Sequence, residues 1–132
     1  MVTSEAAIQQ QIRLDIATTT VELWRNQVGA CEDKTGRVIR YGLMNDSKNL
    51  NSQFKSSDLV GIRPLLITPE WVGSVVGVFS ALEVKASDWK YRATDDHSAA
   101  QMRFIELVQR AGGFAGFARS PAEARQILRI PT

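Results

Sequence analysis

Apolar positions recur four apart at Ile8, Ile12 and Ile16, a single helical stripe that Ser4 can cap and the β-branched run Thr18-Thr19-Thr20-Val21 ends. Residues 21–30 and 37–42 then have strand composition on either side of Asp33-Lys34-Thr35-Gly36. Asp opens and Gly closes a tight turn there, so the pattern predicts a hairpin. Residues 44–56 are polar and turn-rich and predict a loop, of a length that in small domains is functional or disordered. Two apolar β-rich runs follow, 58–68 and 75–86, whose weak alternation predicts strands covered on both faces, with Pro64 and Pro69 limiting the first. Ser98-Ala99-Ala100-Gln101 matches a capping box, and Gln101, Phe104, Ile105 and Val108 take positions i, i+3, i+4 and i+7 of an amphipathic helix stopped by Gly112-Gly113. A short strand over 114–118 leads to a second capped start, with Ser120 at the cap, Pro121 at the first helical position, Glu123 closing the box, and Ala124, Ile127 and Leu128 apolar. The order α-β-β-β-β-α-β-α predicts an α/β fold, a mixed central β-sheet flanked by helices.

Composition narrows the class. The 132 residues are 44% hydrophobic and 23% charged, and no repeat, low-complexity tract or linker divides them, so 1–132 reads as one domain. Cys31 has no intrachain partner, and one cysteine with one histidine, His97, cannot build a Cys/His zinc site. A reducing cytoplasm is the expected compartment. The uncharged run 71–82 is too short to span a bilayer, and the first residues lack the order of a signal peptide, so no membrane role is expected. The net charge is only +2, but residues 57–97 hold four basic against six acidic side chains and residues 98–132 five against two. An acidic middle beside a basic end suits a metal ion set in a phosphate-binding surface.

The chemistry concentrates in Asp58, near the start of one central strand, and Glu83-Val84-Lys85, near the end of the next. Side chains two apart on a strand share a face, so Glu83 and Lys85 point one way and Val84 the other. If the strands are neighbours, Asp58 meets Glu83. Two carboxylates with a backbone carbonyl between them make a hard oxygen site suited to Mg²⁺, and Lys85 beside it can steady charge developing on phosphorus. Each part also has an ordinary role: Asp serves turns at strand starts, and Glu-x-Lys on one face forms a solvated pair. The apolar run Val78-Phe79-Ser80-Ala81-Leu82 before Glu83 favours the site, because charges in a covered sheet are costly unless paired or bound to a metal.

Ser57-Asp58-Leu59-Val60-Gly61, Ala81-Leu82-Glu83-Val84-Lys85, Gln101 with Phe104-Ile105, and Gly112-Gly113 together resemble the virus-type replication-repair nuclease (VRR-Nuc) family of the PD-(D/E)xK superfamily. The resemblance runs from Glu5 to Ala118-Arg119-Ser120, with one departure: Ser57 stands where the family pattern often has proline before the motif Asp. It implies a restriction-endonuclease-like core and a Mg²⁺- or Mn²⁺-dependent endonuclease acting on structured or branched DNA. Short stand-alone members look like Holliday-junction resolvases, which implies a four-way junction substrate, a homodimer, a part in DNA repair or recombination, and a bacterial or phage-infected host cell. Asp58, Glu83 and the Val84 carbonyl would hold the metal, Lys85 would orient water, and Gln101 would bridge into the site. Gln101 serves equally well as the capping-box partner of Ser98, and Glu5 either faces the site or is a favourable acid in a first helical turn.

Arg25, Asn26 and Arg40 on the first strands, and Lys90 in a later loop, are candidates for DNA-backbone contacts, with solvated or packing roles as the alternative. Lys48, Lys55 and Arg92 are weaker candidates of the same kind. His97, without a second histidine, reads as a surface or capping residue. Two rival functions stay open: a non-catalytic nucleic-acid-binding module, and a subunit that cuts only within a larger replication or repair complex. The apolar 71–78 segment, with Phe114 and Phe117, is surface that a second copy could cover.

Overall fold

In the computed structural model, which describes residues 1–131, the isoleucine stripe forms α1 (Glu5–Ile16), capped by Ser4, whose side chain accepts the Ala7 N–H. Thr132, the last residue of the expected domain, lies outside the described residues. After α1 come β1 (Glu22–Arg25), β2 (Gly29–Glu32), β3 (Val38–Tyr41), α2 (Lys48–Gln53), β4 (Leu59–Ile67), β5 (Ser74–Val84), α3 (Asp96–Arg110), β6 (Phe114–Ala118) and α4 (Pro121–Ile127). The fold is mixed α/β. A four-stranded sheet runs β1-β4-β5-β6, antiparallel except for the parallel β5–β6 pair that α3 connects, and β2 and β3 form a separate two-stranded sheet.

Alternation along β5 sorts side chains into two layers. Leu82 and Val84 join Ile8, Ile12, Ile16, Leu59, Ala118, Ala124 and Leu128 in a core between the sheet and the α1–α4 pair. Ala81 turns to the other face, with Phe104, Ile105 and Val108 of α3 and Ala115. Helices therefore cover both faces of the inner sheet.

The structure changes the expected order at several points. Residues 21–30 form two strands, because Asn26 ends β1. Its backbone N–H donates to the Asp58 carbonyl (2.8 Å), and its side-chain amide donates to Ser56 Oγ and the Ser57 carbonyl (both 2.8 Å). The hairpin joins β2 to β3, where Asp33 Oδ1 accepts the Thr35 and Arg37 N–H groups and Gly36 takes φ 83°. Residues 44–56 carry α2, capped by Ser47. Pro64 lies inside β4: the Asn26–Asp58 bond shows that even-numbered residues of β4 turn their peptides toward β1, and β1 pairs no further than Ile62. No ladder bond is lost there. α3 starts two residues before the expected Ser98 cap, because Asp95 caps it instead, accepting from the His97 N–H and Ser98 Oγ.

β4 and β5 are central only over their inner halves. β6 begins opposite Ser80, so the outer halves project as a two-stranded ribbon on which Leu66, Trp71 and Val75 are 64%, 67% and 68% exposed.

β1 crosses β4 so closely at Gly61 that an added Cβ would lie 1.8 Å from the Glu22 carbonyl oxygen. Gly61→Ala is therefore expected to destabilise the fold by at least about 1–3 kcal/mol, the usual range for overpacking. Urea denaturation measures it; an unchanged midpoint would show that β1 shifts freely.

Candidate metal centre

The site exists because β5 outruns β4. Their pairing starts at Leu59–Leu82, so Glu83, Val84 and the following Lys85 continue past the first residue of β4 while β6 still accompanies them: Lys85 N–H donates to the Ala118 carbonyl (2.9 Å). Where a strand partner is missing, the Asp58 side chain replaces it, Oδ2 accepting the Val84 N–H at 2.9 Å. This bond delivers the Asp58 carboxylate to the end of β5. Alternation sends Val84 into the α1–α4 core and Glu83 with Lys85 to the α3 face, the arrangement that their spacing predicts.

α3 supplies the next group. Gln101 is buried, and its Nε2 donates to Glu83 Oε1 at 2.6 Å. With Asp95 at the cap, Gln101 has no capping duty, and the choice between its two roles falls to the contact with Glu83. Glu83 Oε2 and Gln101 Oε1 are buried with no hydrogen-bond donor, as is Ser57 Oγ. Orphaned buried oxygens of this kind are rare and ask for a partner.

Electrostatics say the same. Burial, first, and then the neighbouring Asp58 carboxyl push Glu83 well above the usual carboxylate range, to about 10; Lys85 opposes the shift and Glu5 adds to it slightly. Two carboxylates can share this space if one keeps a proton or if a cation lies between them. Among the described residues no group of three or more His, Cys, Asp or Glu side chains is gathered for a metal ion, so the donor set is Asp58, Glu83 and main-chain or amide oxygen. All-oxygen donors with two orphaned atoms fit a hard divalent cation such as Mg²⁺ or Mn²⁺ that keeps several waters.

Lys85 is buried at 6% exposure, yet among the described residues it forms no ion pair with either carboxylate. Its Nζ lies 5.1 Å from the Trp89 ring centroid and 5.9 Å from that of Phe117.

Asp58, Glu83 and Gln101 open onto a cleft of about 380 Å³, which Asn26, Arg40, Asn45, Asn51, Lys55 and His97 also line. Arg40 is held by Asn45, donating through Nε to its carbonyl (2.9 Å) and through an Nη to its Oδ1 (2.6 Å). The same buried Asn45 amide donates to the Gly29 and Tyr41 carbonyls, tying the base of the β2–β3 hairpin to the cleft. Lys55 Nζ donates to Asn51 Oδ1. Of the other expected residues, Asn26 is a structural bracket as well as a cleft wall. Arg25 is exposed at the end of β1 and does not line the cleft, and Lys90 lines a separate depression with Asp88, Trp89 and Arg92. Glu5 is exposed in the first turn of α1 and touches the site only through its field, because the buried stripe of that helix begins at Ile8. His97, expected at the surface or in a cap, is exposed on the cleft rim. Its signal was its spacing: it precedes Gln101 by four residues and shares its helical face. Asn45 and Asn51 carry no such signal.

No protein-family model, curated protein or solved structure matches the chain.

Because the proton affinity of Glu83 is raised on folding, the stability that this group contributes to the metal-free chain is fully present below the ordinary carboxylate value of 4.5 and is lost as pH rises toward about 10. In EDTA, the thermal midpoint is expected to fall between about pH 6 and about pH 9, and Glu83→Gln to flatten that fall. Equal slopes in the two proteins would remove Glu83 as the cause.

Proposed function

We propose that the chain is a Mg²⁺- or Mn²⁺-dependent endodeoxyribonuclease with a restriction-endonuclease-like core of the VRR-Nuc type, cutting structured or branched DNA such as a four-way junction. One observation carries the reading: Asp58 just before β4, Glu83 of β5 and Gln101 of α3 converge at the end of β5 and leave two buried oxygens without donors. Asp58, Glu83 and the Val84 carbonyl would hold the cation, which when bound supplies positive charge against the charge developing on phosphorus. Gln101 fixes the Glu83 carboxylate through Oε1 and leaves Oε2 for the ion. Lys85, on the same face, orients the attacking water, whose oxygen joins phosphorus as the bond to the leaving sugar oxygen breaks. Arg40 and Lys55 on the cleft walls receive the phosphates on either side.

Resolving a junction takes two cuts on opposed strands, which a two-fold homodimer supplies with paired sites. The projecting ribbon, with Trp71, Val75 and Phe79 exposed, offers apolar surface for such pairing. No helix among the described residues is long and apolar enough to cross a membrane.

Incubating the purified chain with labelled four-way junction, flap, nicked and linear DNA, in Mg²⁺, Mn²⁺ or EDTA, tests the reading. Metal-dependent cleavage is expected, preferring the branched substrates. Gln101→Ala should cost about 10- to 100-fold in rate, and Glu83→Ala, or Asp58→Asn, which keeps an oxygen acceptor for the Val84 N–H, more, with the fold intact. Binding that ignores metal and yields no product would identify a recognition module instead, and cleavage that appears only with a partner protein a dependent subunit.

DNA affinity should fall steeply with salt, and Arg40→Ala should lower the log–log slope by roughly one. An unchanged slope would take Arg40 off the phosphate path.

A further inference from the structure

Lys85 has two possible partners for its ammonium group. One is the carboxylate pair: Glu83, two residues back on the same strand face and near enough to feel the Lys85 charge, and Asp58, which meets β5 at Val84. The other is the aromatic wall formed by Trp89 and Phe117, whose centroids are 4.6 Å apart, with Tyr91 edge-on to Trp89 at 6.3 Å. Phe117 stands directly across the parallel pair from Glu83, so this wall belongs to the same sheet face as the carboxylates. The Trp89 backbone is held at both ends: its main-chain N–H donates to the Ala86 carbonyl (3.0 Å), and the Arg119 guanidinium donates to its carbonyl (3.2 Å). The ammonium lies within cation–π range of both rings and pairs with neither carboxylate.

Resting on the metal-centre reading above, we propose that Trp89, backed by Phe117, is a positioning residue that holds the Lys85 ammonium off Asp58 and Glu83 and so keeps the carboxylates open to a divalent cation. Without the bracket the ammonium settles between the carboxylates, where it supplies the positive charge that the ion would bring and competes with it. Trp89 would touch neither substrate nor metal. Its effect passes entirely through Lys85.

A double-mutant cycle on the full chain tests this, read out as Mn²⁺ affinity by titration calorimetry. Trp89→Leu is expected to weaken Mn²⁺ binding on the order of tenfold, as befits a desolvated cation–π contact. Trp89→Phe, which keeps an aromatic face, should recover most of it. In a Lys85→Met background, Trp89→Leu should have no effect, since no ammonium remains to collapse. A loss of equal size in both backgrounds, or no loss in either, overturns the proposal. Placement is read independently of metal by NMR: the Lys85 ε-methylene should be shifted upfield by the indole ring and lose that shift in Trp89→Leu. An unshifted wild-type methylene also overturns it. A wild-type chain that keeps the shifted methylene but binds no Mn²⁺ overturns the metal-centre reading and the positioning role with it, a failure told apart from the others by the intact shift.

Discussion

The hydrogen bond from the Val84 N–H to Asp58 Oδ2 organises this molecule. A central strand that outlives its neighbour leaves a buried peptide donor without its ladder acceptor, and an unmade bond there costs about 1–3 kcal/mol. Asp58 supplies the acceptor. The solution satisfies the backbone but sets a carboxylate beside Glu83, which is itself 3% exposed. Repair of one unpaired group thus produces a crowded pair of acids, and the demand of that pair for a proton or a cation follows from where the strands end.

Strand length decides the rest of the layout. β5 spans eleven residues, but β6 accompanies only its final stretch and β1 reaches β4 only opposite that same part. Four strands deep at one end, the sheet supports a core on both faces and the site at its rim. At the other end it thins to a two-stranded ribbon, tied to the rest of the fold by Arg63, whose guanidinium donates to the Leu128 and Arg129 carbonyls after α4. Gly61 permits the close passage of β1 that keeps the inner end four strands wide.

Much of this was legible in the sequence wherever one physical signal acted alone. The Ile8-Ile12-Ile16 stripe, the capped start at Ser120-Pro121 and the apolar runs that became β4 and β5 each have one reading, and the face shared by Glu83 and Lys85 follows from strand geometry. Errors arose where local and tertiary demands compete. Ser98 and Gln101 satisfy the capping-box pattern, yet Asp95 accepts from Ser98 and Gln101 turns to Glu83, because a buried carboxylate needs the amide more than a helix end does. Residues 21–30 have continuous strand composition, and only the bonds that Asn26 makes to residues thirty or more positions away divide them. Pro64 reads as a strand limit until the short reach of β1 is known.

Net charge conceals the electrostatics of the cleft for a related reason. Acids and bases nearly cancel along the chain, but the fold gathers a few of each in one cleft from different elements: Asp58 and Glu83 come from the rim of the sheet, while Arg40 belongs to the hairpin and Lys55 to the segment after α2. Asn45 and Asn51 hold those two cations through neutral side chains. Neutral partners matter here, because a carboxylate in their place would spend the charge it positioned. Arg40 keeps its charge and the unused N–H groups of its fork while giving up its rotamer freedom on folding, so an anion entering the cleft meets a cation already ordered. A balanced composition can therefore still present ordered cations to an anion, provided that neutral amides do the holding.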